Sequence, residues 1–169
     1  MQIAQCQAGD VDAILDLYEH AVRLQRLKGA TQWPAFDRGF VESEISKGLQ
    51  WKIIVDGRPR CVWAVADSDP LIWGERNADP AIYIHRIATD PEYQGRGGVL
   101  NIVDWAKAYA AVGGRRFVRM DTVGDNAGLI RDYTKCGFVF LGLSKLADTA
   151  GLPSHYHNAT VSLFEIDLS

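Results

Sequence analysis

The chain has little of several features that would assign a protein to a specialised class. Its three cysteines, Cys6, Cys61 and Cys136, are odd in number, lie far apart and form no CxxC pair. This usage argues against a disulfide framework and against a zinc site. We therefore expect a cytoplasmic protein without a metal ion, whose cysteines are small core residues.

Long apolar runs and a dominant charge are also missing. No stretch approaches the roughly 18 consecutive apolar residues of a membrane span, and no cationic start followed by an apolar run marks a secretory signal. The net charge of -3 gives no basic field for nucleic acid or for an anionic membrane. We expect neither as a partner, so an anionic ligand would need a local binding device.

What the sequence does contain predicts one globular domain over residues 1–169, with 47% hydrophobic and 23% charged residues. After a first strand, apolar residues at helical spacing follow Asp10, a candidate N-cap, and the helix ends near Gly29. Asp56-Gly57 lies between two β-rich runs and predicts a hairpin. Residues 67–80 are rich in acidic residues, Pro and Gly and predict a loop.

The remaining pattern completes an α/β layered fold with a mixed, hairpin-rich sheet. The order of elements is β-α-α-β-β, then β-loop-α, β-α, β and β. Residues 81–89 carry apolar side chains on both faces, as a central strand does. Asp90-Pro91 ends this strand, and a helical pattern begins near Val99.

A glycine-rich segment, Gln94-Gly95-Arg96-Gly97-Gly98-Val99, connects that strand to that helix. Backbone amides at a helix N-terminus bind anions, and glycines let a phosphate approach the main chain. The segment has Leu100 where a dinucleotide fingerprint needs a third glycine, and it has no Gly-Lys-Ser/Thr of a P-loop. Taken alone, it is either a pyrophosphate cradle or a glycine-rich turn.

Two sequence blocks resemble the signatures of the GCN5-related N-acetyltransferase (GNAT) superfamily. The first runs from Ile84 to Gly97: a hydrophobic strand, a Pro-containing turn and Gln-x-x-Gly-x-Gly/Ala-like spacing. The second runs from Asn126 to Phe138 and has the form Asn…Tyr-x-x-x-Gly-Phe. The resemblance implies a mostly antiparallel twisted sheet of about seven strands, with helices on both faces and a splay between the fourth and fifth strands.

The resemblance implies an enzyme that uses acetyl-CoA as a co-substrate. The residues that it places at the cofactor are Ile87, Ala88, Thr89, Gln94, Gly95, Arg96, Gly97, Gly98, Val99 and Asn126. The sequence departs from the motif at Val99, where the family has Gly or Ala. We expect the extra glycine, Gly98, to give the turn an altered path.

Two residues are candidates for acid–base chemistry. Tyr133 occupies the position of the family's tyrosine that protonates the CoA thiolate, although it is also spaced as a core tyrosine. His85 lies where some members place a histidine that relays the amine proton through water, and an ordinary pKa near 6.5 suits that task. The alternative for His85 is a hydrogen-bonded core residue, and for Asn126 it is a helix N-cap.

The sequence contains no motif that identifies the acceptor substrate. Candidate substrate-binding residues are Trp33, Trp73, Glu75, Tyr83 and Asp121. They suggest the primary amine of a small molecule. Acetylation of a protein or peptide, and a non-catalytic acyl-CoA-binding homologue, are the alternatives, and a homodimer is possible because dimers are frequent in the family.

Overall fold

The computed structural model describes residues 1–169, which form two compact units. The first contains residues 1–65 and 85–98, and the second contains residues 66–84 and 99–169. The central strand β4, Ala81–Thr89, passes from the second unit into the first.

The first unit holds the N-terminal half of the sheet and two helices. Its elements are β1 (Gln2–Gln5), α1 (Val11–Leu27), α2 (Arg38–Ser46), β2 (Gln50–Val55) and β3 (Arg58–Ala66). Strands β1, β2 and β3 pair in antiparallel fashion. Asp56 and Gly57 both have positive φ, which is the geometry of the predicted hairpin turn.

The apolar stripe of α1 builds the core of the first unit. Val11, Ile14 and Tyr18 are at most 4% exposed and pack with Val41 of α2 and Val62 of β3. The burial of these side chains at helical spacing is what holds α1 against the sheet.

The second unit holds the remaining elements. They are α3 (Pro70–Trp73), α4 (Gly98–Val112, whose first residue belongs to the first unit), β5 (Phe117–Val123), α5 (Ala127–Lys135), β6 (Val139–Lys145) and β7 (Thr160–Asp167). Strand β7 pairs in antiparallel fashion with both β5 and β6.

The seven strands form one sheet in the order β1-β2-β3-β4-β5-β7-β6. Strands β4 and β5 are parallel, and their ladder joins residues 81–84 to residues 117–120. A mixed, mostly antiparallel seven-stranded sheet flanked by helices confirms the predicted fold class. No helix combines the length and apolar character needed to cross a bilayer.

Two local expectations were wrong. Residues 67–80 are not a plain loop, because Pro70 opens the short helix α3 and a 3-10 turn, Gly74–Ala78, follows it. Asp10 does not cap α1 with its side chain, because its carboxylate accepts hydrogen bonds from the Gln7 amide and from Lys52.

Candidate active site

The glycine segment has the backbone that an anion cradle needs. Gly95 and Gly97 have φ values of 74° and 78°, in the left-handed region that a residue with a Cβ rarely adopts. Apart from the glycine itself and the residues on either side of it, no heavy atom lies within 4 Å of the Cβ position of either glycine. Residues 94–97 are exposed, and the segment leads directly into the first turn of the 15-residue α4, where backbone N–H groups have no helical partner. These residues fit a phosphate group.

Gly98 has a role other than the expected one. Its φ is not positive, so it does not redirect the turn in the way that we anticipated. A Cβ on Gly98 would instead lie 2.7 Å from the Sγ of Cys61, which is buried on β3. Gly98 therefore allows the start of α4 to approach β3. Val99 is half-buried in the same turn.

The end of β4 carries the three residues expected to contact the cofactor backbone to backbone. Ala88 is buried, and Ile87 and Thr89 are half-buried. The Thr89 hydroxyl accepts a weak hydrogen bond from Cys61 Sγ at 3.5 Å. Just before them, Arg86 has a φ of 50°, which interrupts the regular extended path of β4.

His85 is in a different electrostatic state from the one expected. Burial, together with the neighbouring charge of Arg86, lowers the pKa of His85 to about 3. The expected value near 6.5 was therefore wrong, and the imidazole is neutral at cellular pH.

Tyr133 and Asn126 lie at the two ends of α5. The Tyr133 ring packs edge-on against Phe138 and Phe164, with centroid distances of 6.2 and 5.4 Å. Burial and the nearby Cys136 and Asp132 raise the pKa of Tyr133 to about 12, so its hydroxyl keeps its proton at cellular pH. The side chain of Asn126 accepts a hydrogen bond from the Leu129 amide at 3.1 Å, which makes Asn126 the N-cap of α5.

A cavity of about 560 Å³ in the second unit brings together two of the expected acceptor residues, Trp73 and Glu75. Its walls come from α3 with the following 3-10 turn and from β6 with the residues after it. Trp73 and several leucines supply apolar surface. Charged side chains also line it: Glu75, Arg76, Lys145 and Asp148.

Tyr83 belongs to the core beside this cavity. It is 1% exposed, its ring lies 5.8 Å from the Trp73 ring, and its hydroxyl accepts a hydrogen bond from Arg119 at 3.3 Å. The structure thus places Tyr83 in the core, and its contact with an acceptor stays a prediction. Tyr83 supports Trp73 from behind.

Asp121 is part of a half-buried acidic pair that the sequence did not reveal. Its carboxylate accepts a hydrogen bond from the Tyr156 hydroxyl at 2.9 Å, and a carboxylate oxygen of Asp69 lies within 4.8 Å. Burial raises the pKa of Asp121 to about 6; burial and the charge of Asp121 raise that of Asp69 to about 7. Asp69 was hidden among the four acidic residues of 67–80, and no spacing singled it out.

Trp33, the remaining expected acceptor residue, lies in the first unit. Its ring meets the Tyr18 ring edge-on at 5.8 Å and packs near Phe36. Its backbone N–H donates to the side chain of Gln25 at 2.9 Å. The connection between α1 and α2 is thus a small aromatic cluster.

Comparison with known proteins identifies the family of this chain. Residues 31–138 match the sequence model of the acetyltransferase (GNAT) family. The uncharacterized N-acetyltransferase YesJ of Bacillus subtilis (strain 168) is 26% identical over an alignment of 168 positions; the alignment covers 95% of this chain and 86% of YesJ.

Solved structures share the fold. An acetyltransferase of the GNAT family from Listeria monocytogenes 4b F2365 has a TM-score of 0.77 at 21% identity, covering 99% of this chain and 94% of that one. YncA of Salmonella typhimurium, solved with its cofactor acetyl-CoA, has a TM-score of 0.69 at 17% identity, with coverage of 99% and 94%. Because the family match spans more than half of the chain, this protein belongs to the acetyltransferase (GNAT) family and is an acyltransferase.

Proposed function

We propose that this enzyme transfers an acetyl group from acetyl-CoA to the primary amine of a small molecule. The observation that carries the acceptor class is the cavity of about 560 Å³ beside Trp73 and Glu75. Its volume is that of a small-molecule site. The apolar wall suits the body of an amine, and the exposed carboxylate of Glu75 suits its positive charge.

The glycine segment is the proposed pyrophosphate site. The open backbone at Gly95 and Gly97 and the start of α4 offer N–H groups to phosphate oxygens. The amides of Ile87 to Thr89 are proposed to hold the pantetheine arm, and one of them to face the thioester carbonyl oxygen. Asn126 can cap α5 and still lie near the cofactor.

Tyr133 is the proposed general acid. A hydroxyl with a pKa of about 12 remains protonated at neutral pH, so it can donate to the thiolate that departs from acetyl-CoA. The basic side of the reaction has two candidates. His85 is neutral and relays a proton through water as a weak base, whereas the pair Asp69 and Asp121 has pKa values closer to cellular pH.

An amine screen tests the acceptor class. Thiol release from acetyl-CoA would be measured over small primary amines and over a matched set of peptides. We expect turnover with small amines, and a higher acceptor KM in Trp73→Leu and in Glu75→Gln, with the acetyl-CoA KM unchanged. Glu19→Gln, an exposed change on α1, is the matched control and should match the wild type.

Two outcomes of the screen would contradict the proposal. Turnover of peptides but not of small amines would make the enzyme a peptide acetyltransferase. Binding of acetyl-CoA with no turnover on any amine would make it a non-catalytic homologue.

We also propose a cytoplasmic location, consistent with three free cysteines, and a homodimer, which sedimentation would test.

A further inference from the structure

Arg86 has an unfavourable backbone conformation in the middle of the strand that leads to the proposed cofactor site. Its φ of 50° lies in the left-handed region, which is unfavourable for a residue with a Cβ. Such a conformation persists only where surrounding contacts over-determine it. The residues immediately after it are Ile87 and Ala88, whose amides are proposed to face the thioester.

The Arg86 side chain supplies such contacts. Its Nη2 donates to both carboxylate oxygens of Glu44 on α2, at 2.6 Å to Oε2, and its Nε donates to the Tyr18 hydroxyl on α1 at 3.3 Å. The guanidinium carbon also lies 5.4 Å from the Phe36 ring centroid and 5.1 Å from that of Phe40. Ionic, neutral and cation–π contacts therefore converge on one group.

The partners of Arg86 are themselves tied together. Gln50 of β2 is fully buried, and its Nε2 donates to the Tyr18 hydroxyl at 2.9 Å and to Glu44 Oε1 at 3.0 Å. Side chains of Arg86 and Glu44 are only 16% and 15% exposed. A buried charge pair of this kind is costly to break because the remaining charge is left without a partner.

We infer that Arg86 is a positioning residue, which fixes the bend in β4 by anchoring it to Glu44 and Tyr18. The bend sets the direction of the amides of Ile87 and Ala88, and thereby their alignment with the thioester carbonyl. The inference rests on the proposed acetyl transfer. The inference also gives a role to α1 and α2, which are joined by the aromatic connection that contains Trp33. These two helices hold β4 in place.

We call Arg86, Glu44 and Tyr18 the clamp. The kinetic test compares one variant of each clamp residue with a control of similar burial. Arg86→Lys keeps the charge but loses the planar fork, Glu44→Gln removes the charge, and Tyr18→Phe removes one acceptor. The Lys52–Asp10 pair lies in the same unit, and its two side chains are similarly exposed, at 12% and 15%. Asp10→Asn is therefore the matched control. Circular dichroism and urea unfolding of all variants would show whether each one folds.

We expect kcat of Arg86→Lys and Glu44→Gln to fall about tenfold to a hundredfold, because small displacements of reacting groups have effects of that size. The acetyl-CoA KM should change by less than about threefold. The double variant of Arg86→Lys and Glu44→Gln should have a kcat no lower than that of the slower single variant. Asp10→Asn should lose stability without losing kcat. If a clamp variant and the control variant had the same stability and also the same kcat, the inference would be overturned.

Hydrogen exchange gives a readout that needs no activity. In the free chain, the amides of Ile87, Ala88 and Thr89 should exchange faster in the clamp variants than in the wild type, and not faster in Asp10→Asn. Unchanged exchange in the clamp variants would refute the anchoring even if kcat fell. A wild type that acetylates no amine, yet shows the exchange difference, would refute the proposed function and leave the anchoring intact.

Discussion

Burial displaces the pKa values of two proposed catalytic side chains in directions that both favour the neutral form. It raises the pKa of Tyr133 to about 12 and lowers that of His85 to about 3. At cellular pH Tyr133 therefore keeps its proton, as the proposed acid must. His85 carries no proton on its basic nitrogen, as the proposed base requires, although its low pKa makes it a weak base.

The role of Tyr133 is tested by removing its hydroxyl alone. Tyr133→Phe should lower kcat by about 10²-fold or more and leave the acetyl-CoA KM nearly unchanged, because the ring contacts with Phe138 and Phe164 persist. Steady-state kinetics would measure both constants. The reverse pattern, a raised KM with kcat preserved, would assign Tyr133 to binding or structure.

The contact between Gly98 and Cys61 predicts that the effect of a substitution at Gly98 on stability depends on the residue at position 61. Gly98→Ala should lower the free energy of unfolding by about 1–3 kcal/mol, because its Cβ would meet the Cys61 Sγ at 2.7 Å. In a Cys61→Ala background the same change should cost much less. Gly9→Ala, which meets nothing within 4 Å, is the control in urea unfolding. Equal costs in both backgrounds would show that the contact is irrelevant.

The acidic pair predicts how stability depends on pH. An acid with a higher pKa in the folded state binds its proton more tightly there, so the free energy of unfolding falls as pH rises from about 4 to about 7. For Asp121, the rise from 3.8 to about 6 corresponds to about 3 kcal/mol, and Asp69 adds to it with the same sign.

Asp121→Asn should flatten this dependence and still accept the Tyr156 hydrogen bond. Urea unfolding between pH 4 and pH 8 would measure the slope. The exposed Asp125→Asn is the control and should keep the wild-type slope. If the slopes of Asp121→Asn and the wild type coincided, the Asp121 carboxyl would not be the source of the pH dependence.

At the scale of elements, a buried arginine holds the segment that walls the cavity. Arg119 on β5 donates to Glu165 of β7 at 2.8 Å, to Asp79 at 2.6 Å and to the Arg76 carbonyl at 2.7 Å. Its guanidinium carbon lies 4.7 Å from the Trp73 ring centroid. The 3-10 turn after α3 is therefore attached to the sheet through one side chain.

Arg119→Lys should cost about 3 kcal/mol or more, because a lysine cannot make these contacts from one planar group. Its acceptor KM should rise while acetyl-CoA binding is kept. The control is Arg116→Lys on the exposed Arg116–Asp167 pair, which should cost under about 1 kcal/mol. Similar losses of stability in the two variants would contradict the assigned role of Arg119.

Elements with a local signal were predictable, and those fixed by distant contacts were not. The hairpin at Asp56-Gly57, the cap at Asn126 and the bounds of β4 follow from turn chemistry, capping and patterning. Helix α3 was missed because only four residues are helical and burial of Trp73 stabilises them. The pairing of Asp69 with Asp121 depends on the fold and has no signal in the sequence.

At the scale of the whole molecule, the fold and family are shared with proteins of low sequence identity. A fold does not by itself fix the residues that bind a substrate. The proposed acceptor residues line the cavity formed by α3, the following 3-10 turn and the segments around β6. Family membership therefore identifies the reaction, and the cavity has to identify the amine.

The proposed function depends on the binding of acetyl-CoA at the glycine segment. Calorimetric titration of the purified protein with acetyl-CoA and with CoA measures that binding. We predict micromolar binding of both, reduced by Gly97→Val, with free thiol appearing only after a primary amine is added. Failure of both ligands to bind at micromolar concentrations would contradict the account.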